Sequence, residues 1–278
     1  MKEDFFGKLL QAHQDCDECP KSEEISAFFN ELLGLLFPTF ASKKIGDIAA
    51  LKDKFTHLQL DLERFLVRQK HPRAVEVASE FFNERLPEIY DLINLDVKSI
   101  FEGDPAAKSI EEVKRSYPGF YAIAGYRIAH QLLNMKVANL PRSITEHAHS
   151  RTGIDLHPGA IIGKNFCIDH GTGIVIGETT VIGDNVKIYQ GVTLGGLSID
   201  KEMADQKRHP TIEDDVIIYS GATILGGNTT IGKGSIIGGN VWLTKSVPSR
   251  SKVYYKTQLV KDGQEIGTET VVIKEATA

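Results

Sequence analysis

The feature that most constrains this chain's fold is a six-residue period that starts near its middle. Ile or Leu opens a hexad at Leu156, Ile162, Ile168 and Ile174, then, after a two-residue slip, at Ile176, Ile182, Ile188 and Leu194. After an interruption the period resumes at Ile212, Ile218, Ile224, Ile231, Ile237 and Leu243. Gly or a small or polar residue often follows the aliphatic one, as in Ile162-Gly163, Ile182-Gly183 and Ile231-Gly232, which suits a sharp corner after each short strand. Three such strands close a triangular coil of about 18 residues, and stacked coils pair strand on strand at about 4.8 Å. A single coil cannot bury its inward side chains on both sides, so several must stack with a cap at each end; the pattern predicts about four coils. Handedness does not follow from the period, because general connection rules favour right-handed crossovers.

Residues 1–149 carry a different period. Ile25, Phe28, Phe29, Leu32, Leu33 and Leu36 recur at helical steps behind Ser22, a candidate N-cap, and Pro38 ends the run. Leu51, Phe55, Leu58, Leu62, Phe65 and Leu66 make a second stripe. Val77, Phe81, Phe82, Ile89, Leu92 and Ile93 make a third, with Pro87 marking a kink or boundary. Further helices are predicted near 109–116, 120–135 and 141–148. The fold class is therefore α+β: an α-helical domain over 1–149 that caps a parallel β-helix over 150–250, followed by a tail over 251–278. The polar break at 196–210 cannot fit inside the prism and must project from a corner, a placement that often carries function.

Composition closes off several classes. The net charge is −5 and no Lys/Arg run stands out, so the electrostatic footprint of a nucleic-acid binder is missing. The apolar stretches fall well short of the roughly 20 residues that a membrane-spanning helix needs. The acidic start Met1-Lys2-Glu3-Asp4 lacks the order of a secretory signal, giving a cytoplasmic expectation. Cys16 and Cys19 form a lone C-x-x-C, weak evidence for zinc or redox chemistry, and Cys167 reads as packing.

The chemistry-bearing motifs lie on the repeat. They are Asp155-Leu156-His157-Pro158, Asp169-His170-Gly171-Thr172-Gly173, Gly177-Glu178-Thr179, Gln190-Gly191-Val192-Thr193-Leu194-Gly195-Gly196 and Lys207-Arg208-His209-Pro210. In this order, and with Gly103-Asp104-Pro105-Ala106 and Tyr126-Arg127-Ile128-Ala129-His130 before them, they resemble the serine acetyltransferases over about residues 100–245. The resemblance implies a left-handed β-helix, acetyl-CoA as co-substrate, L-serine as acceptor and no metal. It also implies that Asp104 and Asp169 take the serine ammonium, while Arg208 and His209 take its carboxylate. The pantetheine arm would run over Gly196, Ser220, Gly221, Gly238 and Gly239, in a groove between two subunits, with Lys245 near a CoA phosphate. The family's trimers pair through their helical domains into hexamers, so at least a trimer is expected.

Acyl transfer to an alcohol needs a base, because a hydroxyl is a poor nucleophile near neutral pH. A histidine has a suitable ordinary pKa, and such a base contributes about 10²–10⁴-fold in rate. The base is assigned to His170, which follows Asp155 by 15 residues, slightly less than one coil; that spacing predicts neighbouring coils and a carboxylate-imidazole hydrogen bond. The thioester is already activated, so direct attack needs no acyl-enzyme. Glu178 is a candidate for holding a neighbour in the site, with a solvated corner carboxylate as the plain alternative, and Asp104 equally reads as a turn residue before Pro105.

Rival readings are another acyl-CoA transferase of the same fold acting on a sugar or amine, and a carbonic anhydrase gathering His157, His170 and His209 around a metal. A structural protein that has lost catalysis is weakened by the intact Asp155 and His170. Departures from the resembled pattern are a longer loop over Leu197–Gln206 and the loss of a glycine-valine-proline-alanine turn after Leu243. The chain also ends Glu275-Ala276-Thr277-Ala278, without the terminal isoleucine by which such enzymes dock into O-acetylserine sulfhydrylase, which argues against that partner. Cysteine inhibition is an expectation of the resemblance alone.

Overall fold

Apolar stripes at three- and four-residue steps become helices because each stripe finds another to pack on. In a computed structural model, residues 3–15, 20–197, 206–255, 257–261, 264–269 and 274–275 are described; Cys16 and Cys19 lie outside them. The helices are α1 (Glu3–Asp15), α2 (Ser22–Leu36), α3 (Ile48–Arg68), α4 (Ala74–Glu80), α5 (Leu86–Gly103), α6 (Ile110–Ser116), α7 (Pro118–Asn134) and α8 (Leu140–Thr152). None is long and apolar enough to cross a membrane.

Helix α2 starts one residue earlier than the sequence suggested. Lys21 is its N-cap, with its N–H donating to Glu24 Oε2 at 2.8 Å, and Ser22 is already helical. The expected Pro87 boundary takes a specific form. Between α4 and α5 the chain makes a π-helical turn, Phe81–Arg85, in which the Leu86 N–H reaches back five residues to Phe81 O. Pro87 has no N–H to offer Asn83, and its ring would crowd that carbonyl, so the helix widens just before it.

Helix α7 is buried along most of its length and joins the two halves. The Arg127 guanidinium, 4% exposed, holds both Asp96 oxygens of α5 at 2.9 and 3.1 Å and donates to the carbonyls of Ile162 and Gly163 at 2.6 Å. Asp96 also accepts the Phe166 N–H at 2.9 Å, so one ion pair ties two helices to the first coil. Burial pushes the Asp96 carboxyl upward, and the guanidinium opposes it.

The hexads fold as a triangular parallel β-solenoid. The first face stacks β1 (Asp155–Leu156), β4 (Val175–Ile176), β7 (Thr193–Gly195), β10 (Thr223–Leu225) and β13 (Trp242–Leu243). The second stacks β2 (Ile161–Ile162), β5 (Val181–Ile182), β8 (Thr211–Ile212) and β11 (Thr230–Ile231). The third stacks β3 (Cys167–Asp169), β6 (Lys187–Tyr189), β9 (Ile217–Ile218), β12 (Ile236–Ile237) and β14 (Ser251–Val253). Leading aliphatics pair in register, as in Leu156 with Ile176 and Ile168 with Ile188, so each column of side chains continues through the prism. Fully burying one such Ile or Leu stabilises by about 1.5–3 kcal/mol.

There are five coils rather than about four. The fifth comprises β13, Val247, which bridges Ile231, and β14, with Lys252 and Val253 paired to Ile236 and Ile237. Three strands follow: β15 (Thr257–Lys261) and β16 (Gln264–Glu269) form a hairpin, and β17 (Lys274–Glu275) pairs antiparallel with β14. The projecting segment leaves β7 and returns into β8, at the corner between the first and second faces; its residues 198–205 lie outside the described ones.

Candidate active site

The corner between the third and first faces carries His170. It directly follows β3, its ring is 70% exposed, and its backbone has a left-handed φ of 58°, a strained position for histidine. The chain spends eight residues between Ile168 and Ile176 here, where the same corner of the next coil takes six, from Ile188 to Leu194. The two-residue slip in the hexads is this widened corner.

His170 opens onto a cleft of 340 Å³ lined by Asp104, Ala106, Tyr117, Gly119, Asp169 and their neighbours. His170 Nε2 lies 3.7 Å from Asp169 Oδ1. Asp104 follows the end of α5 and does two things at once. Its Oδ1 accepts the Ala106 N–H at 2.8 Å, as a turn residue would, and its Oδ2 accepts the Tyr117 hydroxyl at 2.5 Å. The Tyr117 hydroxyl holds the Asp104 carboxyl below the usual carboxylate range, and the same bond pushes Tyr117 up to about 12. Asp169 is 7% exposed and takes Lys187 Nζ at 2.9 Å. Burial pulls Lys187 down, but its contacts with Tyr189 and Asp169 outweigh that and keep it above the usual lysine range. Cys167, beneath this cluster, is buried with its thiol pushed up to about 12, which fits packing.

Above His170 the same corner repeats as Gln190-Gly191, Ser220-Gly221 and Gly239-Asn240. Gly191 N donates to Thr172 O, Gly221 N to Gln190 O and Asn240 N to Ser220 O, so the corners stack directly. Ser220, Gly221 and Gly239 thus form a column of small residues leading away from the imidazole, and Gly238 sits beside it.

The other predicted residues lie at the corner between the first and second faces. Glu178 pairs with the Arg208 guanidinium, which holds the Glu178 carboxyl below its usual range. Thr179 Oγ1 accepts the N–H groups of Arg208 and His209 at 2.9 and 3.0 Å, and Lys207 Nζ donates to Thr179 O at 2.6 Å. His209 Nδ1 accepts the Thr179 N–H at 3.0 Å. Burial pushes His209 down to about 4, so the ring is neutral with its proton on Nε2. The ring covers Gly177, where a Cβ would lie 2.1 Å from it, so only glycine fits. Gly196 roots the projecting loop here, and Lys245 is exposed on the fifth coil beyond β13.

One chain therefore brings Asp104, Asp169, His170, Ser220, Gly221 and Gly239 to one corner, and Glu178, Gly196, Arg208, His209 and Lys245 to another. Asp155 corrects the expectation of neighbouring coils. It and His170 belong to the same first coil, because the chain must still turn the widened corner before β4 pairs with β1. The expected hydrogen bond is not formed: Asp155 Oδ1 faces Arg142 Nη1 at 3.4 Å. The two are nonetheless close along the corner, since a Cβ on Gly171 would meet Ile154 Cδ1 at 2.5 Å. His157 accepts the Gly159 N–H locally and does not join His170 and His209 within a chain. Among the described residues, the one group whose ligand atoms converge within 4.8 Å is Glu146, His149 and Asp155.

Lys187, Tyr117 and Arg142 escaped the sequence reading. Lys187 had a signal: it stands 20 residues after Cys167, one coil on, and so flanks the rung that carries Asp169.

A helix-capped solenoid of hexads with an exposed imidazole in a cleft that two carboxylates also line defines an acyltransferase of the hexapeptide-repeat class. No family model matches the chain. It is 52% identical to "Serine acetyltransferase, plasmid" of Synechococcus elongatus over 277 residues, covering 89% of this chain and 85% of that one. The Bacillus subtilis serine acetyltransferase is 47% identical over 164 residues, 59% of this chain and 73% of that one. Among solved structures, Entamoeba histolytica serine acetyltransferase 1 in complex with L-cysteine superposes with a TM-score of 0.73 at 36% identity, covering 82% of this chain and 86% of that one. The Neisseria gonorrhoeae serine acetyltransferase in complex with serine gives 0.59 at 29% identity, covering 84% and 81%. This chain belongs to the serine acetyltransferase family.

Proposed function

We propose that the protein transfers the acetyl group of acetyl-CoA to the hydroxyl of L-serine, with His170 as general base. The observation that carries this is the cleft in which an exposed imidazole stands beside two carboxylates, Asp104 and Asp169, at the foot of a column of small residues. The carboxylates suit the serine ammonium. Arg208, with His209 beside it, suits the serine carboxylate when supplied by the facing corner of a second copy. Ser220, Gly221 and Gly239 of one chain, with Gly196 and Lys245 of its neighbour, would flank the pantetheine arm. The active form is then a homotrimer at least, with a site at each junction.

The serine hydroxyl gives its proton to His170 as its oxygen attacks the thioester carbonyl. The tetrahedral intermediate expels the CoA sulfur, and the imidazolium returns the proton to that thiolate. His170 Nε2 is 3.7 Å from Asp169 Oδ1, too far for a hydrogen bond, so its exposed ring is free to turn toward Asp155, which would stabilise the imidazolium; the packing of Gly171 against Ile154 supports this proximity.

The test is CoA thiol release with L-serine against a panel of sugars, amines and other amino acids, in wild type and His170→Ala. L-serine should be preferred, and the variant should lose about 10²–10⁴ in kcat. A sugar preferred over serine overturns the acceptor assignment.

A further inference from the structure

Lys187 lies behind the cleft, not in its lining. Its Nζ donates to Gly103 O at 2.6 Å, contacts Asp169 Oδ2 at 2.9 Å and stands 4.4 Å from the centre of the Tyr189 ring, with 16% of the side chain exposed. Gly103 is the last residue of α5, so its carbonyl is among those a helix leaves without an internal partner, at the end where a cation is favoured. Asp104 is the next residue. One ammonium therefore joins the backbone that presents Asp104 to the carboxylate of Asp169, across the boundary between the helical half and the solenoid.

The charge count points the same way. Two carboxylates facing one cleft repel, and each disfavours the ionised form of the other. Lys187 offsets one of those charges from behind and leaves a net single negative charge, which matches one substrate ammonium. We propose that Lys187 is a positioning residue for the acceptor: it fixes the spacing of Asp104 and Asp169 and balances their charge, and so sets selectivity for an alcohol that carries an ammonium group. This rests on the reading of those two carboxylates as the ammonium site.

The experiment compares wild type, Lys187→Met and Lys187→Arg on L-serine and on 3-hydroxypropanoate, which keeps the hydroxyl and carboxylate but lacks the ammonium. In Lys187→Met the KM for L-serine should rise about tenfold or more, with kcat changed far less, because a charge-assisted contact that orders the binding site is gone. The kcat/KM preference for L-serine over 3-hydroxypropanoate should fall by a similar factor, while the KM for acetyl-CoA stays constant. Lys187→Arg keeps the charge and should recover part of the preference. Were the methionine variant not to fold, the arginine variant carries the test, since its altered reach should lower the preference measurably. Equal losses on both acceptors, or an unchanged preference, would overturn the positioning role and leave the enzyme assignment intact. A wild type that releases no thiol with L-serine would overturn the functional reading and the inference with it.

Discussion

His209 is buried against Gly177 and accepts the Thr179 N–H at Nδ1, which is possible only for the neutral ring. Its pKa is about 4 in the fold against an ordinary 6.5. Between those values the unfolded chain binds a proton that the folded chain refuses, so this residue lowers stability as pH falls below 6.5, and the loss is complete near 4. The thermal midpoint of wild type should therefore fall across that window with a component missing from His209→Gln; identical pH slopes would refute a buried neutral ring. His209, Asp169 and His170 could be named from the sequence because each lies in a short motif that resembles the serine acetyltransferases. Lys187 and Tyr117 were not. Lys187 finds Gly103 from 84 residues away, and Tyr117 meets Asp104 only because α6 folds back over the end of α5. The placement of Asp155 also failed, since a spacing of 15 residues is less than one coil and so ends at the corner after β3, before the next coil opens with β4 beside β1.

At the scale of elements, Arg127 makes a buried junction between α7, α5 and the first coil. Replacing Arg127 by Met leaves the Asp96 carboxylate buried without its cation, and should cost about 3–5 kcal/mol of unfolding free energy. Adding Asp96→Leu should recover part of that loss, because the second change removes the stranded charge; Phe166 N and the carbonyls of Ile162 and Gly163 still lose their partner, so recovery stays incomplete. Denaturant unfolding of both single variants and the pair checks this, and strict additivity would mean that the ion pair does not couple these elements. The solenoid itself was readable from its hexads because burial inside a triangular prism imposes a strict local period. The fifth coil was not, because its inward residues after Leu243 are Val247 and Val253, four and then six positions on, with Pro248 between them. A period that breaks at the last coil looks like a tail.

At the scale of the whole molecule, the proposed site residues occupy two corners of one prism, and a corner cannot face its own neighbour across the packed core. The proposed ring of subunits would solve this, since a head-to-tail contact would bring the His170 corner of each copy to the Arg208 corner of the next. Two variants then test the arrangement without any structure of the assembly. His170→Ala removes the proposed base and Arg208→Ala the cation proposed for the acceptor carboxylate, so each alone should lose nearly all thiol release. When the two are unfolded together in equal amounts and refolded, random mixing gives about a quarter of the junctions an intact His170 from one copy and an intact Arg208 from the other. Activity should return toward that fraction of wild type, and it should depend on mixing before assembly, because assemblies formed from one variant alone contain no mixed junction. If each site were built within one chain, every site in the mixture would still carry one of the two lesions, and no activity would return.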